Sequence, residues 1–208
     1  AFSSHAVKTI ASGEGGVVTT NDYKLAEKFR LYRNHGMVRD NDELASNPWH
    51  YEMHSLGFNY RLTDIQCALG LSQLSKLERF VKNREKLRER YSTHLRKLGS
   101  HVKPVETIST CNPAWHLAVA LIDFEKLGVQ RVDVMRRLSD LGVGTQVHYI
   151  PVHKQPYYQM RYGKFTLSGC EAYYSRCLSL PLWPDMTLED VDFVVEKLAD
   201  ILGVEQNF

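Results

Sequence analysis

What the chain lacks excludes several classes of function. Apolar residues make up 43% of its 208 positions, yet no apolar run is long enough to span a bilayer, so no membrane-spanning role and no membrane partner are expected. Neither sign of charge dominates. Against 24 acidic residues stand 26 Lys plus Arg, and a formal net charge of +2 is too small to attract nucleic acid. The basic stretch from Lys76 to Lys97 is broken up by Glu78, Glu85 and Glu89, which is the pattern of a solvated helix face. Small anions remain compatible with this balance. Cysteine is sparse: Cys67, Cys111, Cys170 and Cys177 show no CxxC or metal-ligand spacing, which argues for reduced thiols in a cytoplasmic protein. His148 and His153 lie on either side of Pro151, with no Cys or carboxylate to complete a set, so no metal site is expected. Repeats and low-complexity tracts are absent too.

What is present begins at once. Lys8 sits among Ala6, Val7, Thr9, Ile10 and Ala11, with Ser3, His5 and Ser12 close by in sequence. A lone lysine is ordinarily a solvated charge. Apolar neighbours point instead to a buried amine, whose pKa would fall toward neutrality and make it a nucleophile for carbonyl compounds. The run Gly13-Glu14-Gly15-Gly16 then permits a sharp turn or close approach before a strand at Val17-Val18-Thr19-Thr20.

Further along, Asn21-Asp22 caps a helix carrying Leu25, Ala26, Phe29 and Tyr32, which stops at Asn34-His35-Gly36. His35 is expected to meet free helix-end carbonyls. Residues from about Val38 to Leu56 read as a long loop. Asn59 and Arg61 precede a helix capped by Thr63, and are either ordinary loop residues or donors to an anion. From Asp64 to about Leu98 one long amphipathic helical pattern is expected, kinked or connecting two domains, with Cys67 on its apolar face in the core, and a domain boundary near residues 98–104. The remainder alternates. Strands are expected at Trp115–Ile122, Val143–Tyr149 and Cys177–Leu180, and helices at Gln130–Leu141, Gly169–Arg176 and Leu188–Leu202, a small α+β domain. The cluster His148, Tyr149, His153, Gln155, Tyr157 and Tyr158 suits either contact with a sugar or uracil ring, or domain packing.

Three of these stretches resemble one family. Ser3-Ser4-His5-Ala6-Val7-Lys8-Thr9-Ile10 with Gly13-Glu14-Gly15-Gly16 is similar to the Schiff-base segment of the DegT/DnrJ/EryC1/StrS sugar aminotransferases, which depend on pyridoxal 5′-phosphate. Ser4 stands where that segment usually carries an aromatic. Gly57-Phe58-Asn59-Tyr60-Arg61 through Gln66 is similar to the family's second signature, and Leu178-Ser179-Leu180-Pro181 to a late one. Thr145 to Tyr158 resembles the subgroup that makes UDP-4-amino-4,6-dideoxy-N-acetyl-L-altrosamine.

The resemblance implies the C-terminal part of a fold-type I transferase, α/β and α+β. Residues 1–98 would then close the large cofactor-binding domain and form the connecting helix, and 99–208 the small domain. It implies Lys8 as the Schiff-base lysine and proton shuttle, Ser3 as a ligand of the cofactor phosphate, and Asn59 as reaching the neighbouring subunit's phosphate in a homodimer with shared sites. Arg61, His148 and Tyr149 are implied as contacts to a nucleotide sugar, with L-glutamate as amino donor, in amino-sugar biosynthesis for surface glycans or flagellin. Ala1, close upstream of Lys8 and not a Met, leads to the expectation of a C-terminal fragment. Two alternatives stand: a dimerisation and substrate-binding fragment without chemistry, and a family sugar dehydratase, which carries histidine at the lysine position.

Overall fold

The structure, a computed structural model, describes residues 1–39 and 46–205 and divides into two compact units, Ala1–Leu77 and Glu78–Phe208.

In the first unit, β1 (Phe2–Ser3) pairs antiparallel with β2 (Gly16–Val17). A Cβ on Gly16 would lie 2.7 Å from the Phe2 carbonyl oxygen, so this pairing needs glycine. The strand expected at Val17–Thr20 is shorter because its partner is only two residues long. Helix α1 (Tyr23–Tyr32) is where its apolar spacing put it, with the Asp22 carboxylate accepting from the Leu25 amide at 3.1 Å. It ends in a left-handed corner, His35 at φ 60° and Gly36 at φ 66°. A Cβ on Gly36 would fall 1.9 Å from the Ser55 carbonyl oxygen, so no other residue fits there. The expected long loop holds a short antiparallel pair, β3 (Met37–Val38) with β4 (Glu52–Met53); residues 40–45 of that loop lie outside the described residues.

The long helical pattern expected over 64–98 forms two helices, α2 (Asp64–Leu74) and α3 (Leu77–Lys97). At the break Ser75 donates its hydroxyl to the Ser72 carbonyl at 2.9 Å, the local side-chain bond by which serine competes with a continuing helix. Cys67, expected in the core, is exposed, and α2 buries none of its side chains. Its apolar residues Ile65, Leu69, Leu71 and Leu74 all face solvent in this chain.

The second unit holds the core. Strands β5 (Val102–Pro104), β6 (Ala118–Ile122) and β7 (Cys177–Leu180) form an antiparallel sheet in that order, with Val102 opposite Ile122 and Ala118 opposite Leu180. Ala118, Ala120 and Ile122 alternate inward along β6, as the period-2 pattern requires. Helices α3, α4 (Arg131–Asp140) and α7 (Leu188–Leu202) bring Leu87, Tyr91 and Leu95, Val134 and Leu138, and Val191, Val195 and Leu198 into one cluster with the strands. Each buried Leu or Val contributes about 1.5–3 kcal/mol. This shared core is why α3 belongs to the second unit. Thr187 and Asp190 form a capping box at the start of α7, and Gly203 at φ 65° ends it.

One further expectation is corrected, and one helix was not expected. Val143–Tyr149 is no strand: its first residues still cap α4, Val143 N–H donating to the Leu138 carbonyl at 2.9 Å, and its backbone joins β7 through one isolated bridge, Gln146 to Ser179. A short helix α5 (Pro156–Tyr162), started by Pro156, lies inside the aromatic segment, followed by α6 (Ser168–Tyr174).

Candidate active site

Lys8 sits midway along a loop that leaves β1 and returns at Ser12. The Ser12 amide donates to the Ser4 carbonyl at 2.8 Å, the Ser4 and Ser12 hydroxyls meet at 2.7 Å, and the Ser4 amide donates to the Gly15 carbonyl at 3.0 Å. The Lys8 amide bonds the His5 carbonyl at 2.9 Å, turning the chain beneath the lysine. His5 Nδ1 accepts from the Val7 amide at 3.4 Å, which leaves Nε2 to carry a proton toward the Glu14 carboxylate, 3.5 Å away. Ser3, on β1, accepts from the His5 amide at 3.4 Å.

The segment is not buried as its sequence suggested. Lys8 is half-buried, and Val7 and Phe2 are 60% and 65% exposed. All four residues of the β1–β2 ladder are exposed. The lysine is therefore positioned by the loop.

The second motif is held on a frame around the α1 corner. His35 N–H donates to the Phe58 carbonyl at 2.9 Å and Tyr60 N–H to the Arg33 carbonyl at 2.9 Å, while Asn34 and Asn59 form an isolated antiparallel bridge. His35 thus acts through its backbone. Arg61 Nη1 donates to Asn34 Oδ1 at 2.5 Å, a contact spanning 27 positions. Asn34 reads in sequence only as part of a helix stop, and nothing local marks its pairing with Arg61.

Both motifs meet at α2. Its capping glutamine, Gln66, donates Nε2 to the Glu14 carbonyl at 3.2 Å, and Leu62 lies where a Cβ on Gly15 would be, 2.3 Å from its Cδ2. An open cleft of about 500 Å³ is lined by Glu14, Gly15, Gly16, Tyr60, Arg61 and Gln66, among others. Arg61 therefore borders the glycine run. Ser3, Lys8 and Asn59 lie outside this lining.

In the second unit, taken by itself, His148 Nδ1 meets the Ser179 hydroxyl at 2.8 Å, and the His148 and Tyr149 rings pack edge to face with centroids 4.5 Å apart. Ser179 is buried and Tyr149 is exposed. His153 parts from this pair. It is buried, bonds Glu171 at 2.9 Å through Nε2 and stacks on Phe165 at 5.3 Å, while Lys154 also contacts Glu171; these partners hold the Glu171 carboxyl below its ordinary range, Lys154 most strongly. His153 is a packing residue. Among the described residues no cluster of three or more potential metal ligands occurs, and no helix is long and apolar enough to cross a membrane.

The donor set of the loop fits a phosphorylated aldehyde. Lys8 offers a primary amine that no carboxylate engages among the described residues, and Ser3 a hydroxyl on the strand leading into its loop.

Comparison with known proteins gives a consistent picture. A family model described as the DegT/DnrJ/EryC1/StrS aminotransferase family matches residues 1–199. The chain is 41% identical over 207 residues to the spore coat polysaccharide biosynthesis protein SpsC of Bacillus subtilis, covering 97% of this chain and 53% of that one. Helicobacter pylori PseC, an aminotransferase involved in the biosynthesis of pseudoaminic acid, superposes with a TM-score of 0.86 at 30% identity, over 96% of this chain and 52% of PseC. The aminotransferase TlmJ of Streptoalloteichus hindustanus superposes with a TM-score of 0.82 at 27% identity, over 97% and 51%. The chain thus spans about half the length of these relatives.

Proposed function

The chain belongs to the DegT/DnrJ/EryC1/StrS aminotransferase family, with the fold of its sugar aminotransferases, and on that premise we propose that it works in a pyridoxal 5′-phosphate-dependent transfer of an amino group from L-glutamate to a UDP-linked 4-keto-6-deoxy sugar. The observation that carries this reading is Lys8 at the middle of a closed loop with no carboxylate engaging its amine among the described residues. Family dehydratases carry histidine at that place.

The cofactor, when bound, supplies the electron sink that lets a proton leave an amino-bearing carbon. The chain's own residues do the rest. Lys8 would hold the cofactor through its Nζ and, once released, would move a proton at the amino-bearing carbon. Ser3 would donate a hydrogen bond from its hydroxyl to the cofactor phosphate. Asn59 would donate to the phosphate in the neighbouring subunit of a homodimer, and Arg61, restrained by Asn34, would bind the anionic part of the substrate. His148, its ring held at Nδ1 by Ser179, and the exposed Tyr149 ring beside it would contact the sugar nucleotide. Residues 1–98 belong, in this reading, to the large domain and connecting helix, and 99–208 to the small domain, in a cytoplasmic enzyme. The resemblance of residues 145–158 to altrosamine-forming enzymes, and the likeness to PseC, support the sugar's class.

Exposure of Phe2 and Val7 on the lysine segment favours a second reading, in which these residues bind substrate and dimerise without performing chemistry. The test is a transfer assay with glutamate, a UDP-linked 4-keto-6-deoxy sugar and the cofactor, on the protein and on Lys8→Ala. Formation of 2-oxoglutarate and amino sugar that the variant abolishes supports the first reading. Sugar binding and dimerisation with no turnover supports the second.

A further inference from the structure

Ser4 and Ser12 are, we propose, positioning residues that set Lys8 against Ser3 through a hydroxyl relay at the neck of the lysine loop. The proposal rests on Lys8 and Ser3 being the cofactor ligands. Its geometric basis is independent of that reading.

Ser12 is 3% exposed, and its hydroxyl lies 2.7 Å from Ser4 Oγ and 3.4 Å from the Glu14 carbonyl oxygen. A serine hydroxyl has one hydrogen to give. If Ser12 gives its hydrogen to Glu14, Ser4 must be the donor between the two hydroxyls, and the relay runs Ser4 to Ser12 to the Glu14 carbonyl. That carbonyl also accepts from Gln66 on α2, at 3.2 Å. Gly70, one turn further along α2, brings its backbone up to Ser12: a Cβ there would sit 3.6 Å from the Ser12 Cβ. The neck is thus anchored to a helix on one side.

The other side carries the reacting groups. Ser3 is the residue before Ser4, and Lys8 lies at the loop's midpoint with its amide tied to the His5 carbonyl at 2.9 Å. Closing the neck restricts how far the Lys8 amine can stray from the Ser3 hydroxyl. Ser4 occupies the place where the resembling segment usually carries an aromatic, and an aromatic ring has no hydroxyl with which to form this relay. With the lysine only half-buried, this polar closure substitutes for packing as the restraint on the loop.

The test uses the full chain, wild type and as Ser4→Ala, Ser12→Ala, Ser4→Thr and Ser12→Thr. Two rates are measured: tryptic cleavage after Lys8 in cofactor-free protein, and borohydride-fixed attachment of pyridoxal 5′-phosphate to Lys8 followed by mass spectrometry. Loss of one such hydrogen bond predicts roughly fivefold faster cleavage and attachment slower by a similar factor, with the threonines restoring both. Where Ser12→Ala fails to fold, the Ser4 pair decides. Attachment that is unchanged in the alanine variants overturns the proposal, even if cleavage quickens, because the relay would then be merely structural. A fall that threonine does not restore overturns it as well. Wild-type protein that attaches no cofactor at Lys8 instead defeats the functional reading on which the proposal rests.

Discussion

Gln66 is the residue through which the two motifs are mechanically joined, and its two bonds are separable by substitution. Its Oε1 accepts from the Thr63 amide at 3.0 Å, closing the capping box, while its Nε2 donates to the Glu14 carbonyl at 3.2 Å. Gln66→Ala removes both. Thr63 Oγ1 still accepts from the residue-66 amide in that variant, and each lost side-chain bond is worth about 1 kcal/mol net, so local opening of the α2 start and the glycine run becomes easier by about 2 kcal/mol, or roughly thirtyfold. Gln66→Glu keeps the cap, gains a few tenths of a kcal/mol from a carboxylate at the helix N-terminus, and loses only the donor to Glu14. The net loss is under about 1 kcal/mol, at most roughly fivefold. Amide hydrogen exchange at Gln66 and Cys67, and at Gly15 and Gly16, reads the two ends separately. The glutamate variant should protect the helix end and expose the glycine end. Equal deprotection at both ends in both variants, or none in either, would refute the reasoning.

Other consequences are simpler. Leu198→Ala, at a position with no exposure in the second unit, should cost about 3 kcal/mol in urea unfolding, and a loss under about 1 kcal/mol would show that the cluster is not the core described. Burial, and then the Arg90 guanidinium and Lys97, hold the His94 pKa below its ordinary value, with Asp192 at 3.1 Å opposing them. The unfolded chain takes up that proton near pH 6.5 and the native chain only at lower pH, so stability present above about 6.5 falls as the pH drops below it. His94→Gln should flatten that slope between pH 7 and 5, and an identical slope would contradict it. On the proposed role of His148, Ser179→Ala should weaken binding of a sugar nucleotide about fivefold by releasing the ring, with Ser179→Thr close to wild type in calorimetry; equal affinity in all three would contradict that role.

How much of this was legible in the sequence depended on the range of the interaction. Helices α1, α4 and α7 follow local periodicity and caps such as Asp22 and Thr187, so their positions were readable within a residue or two. The length of the pattern over 64–98 announced a kink or a connection, but not its place at Ser75, because an apolar spacing that continues across it says nothing of a serine turning back on its own backbone. The motifs around Lys8 and Asn59–Arg61 stood out in sequence. Their supports did not: Asn34 meets Arg61 across 27 positions, and Ser179 meets His148 across 31. Apolar neighbours misled at Lys8 and Cys67, since Ala, Val and Ile predict burial only where another layer covers them. His153 showed the reverse. Grouped by sequence with His148 and Tyr149, it is fixed by Glu171 and Phe165, neither of which its neighbours announce.

Lys8 is the proposed point of cofactor attachment. The most direct measurement is the absorbance spectrum of the protein with pyridoxal 5′-phosphate before and after borohydride reduction, followed by peptide mapping, with Lys8→Ala alongside. A visible band that reduction abolishes, leaving the cofactor's mass on the Lys8 peptide and no band in the variant, is the predicted result. A band that survives in Lys8→Ala, or a label on another lysine, would contradict the account.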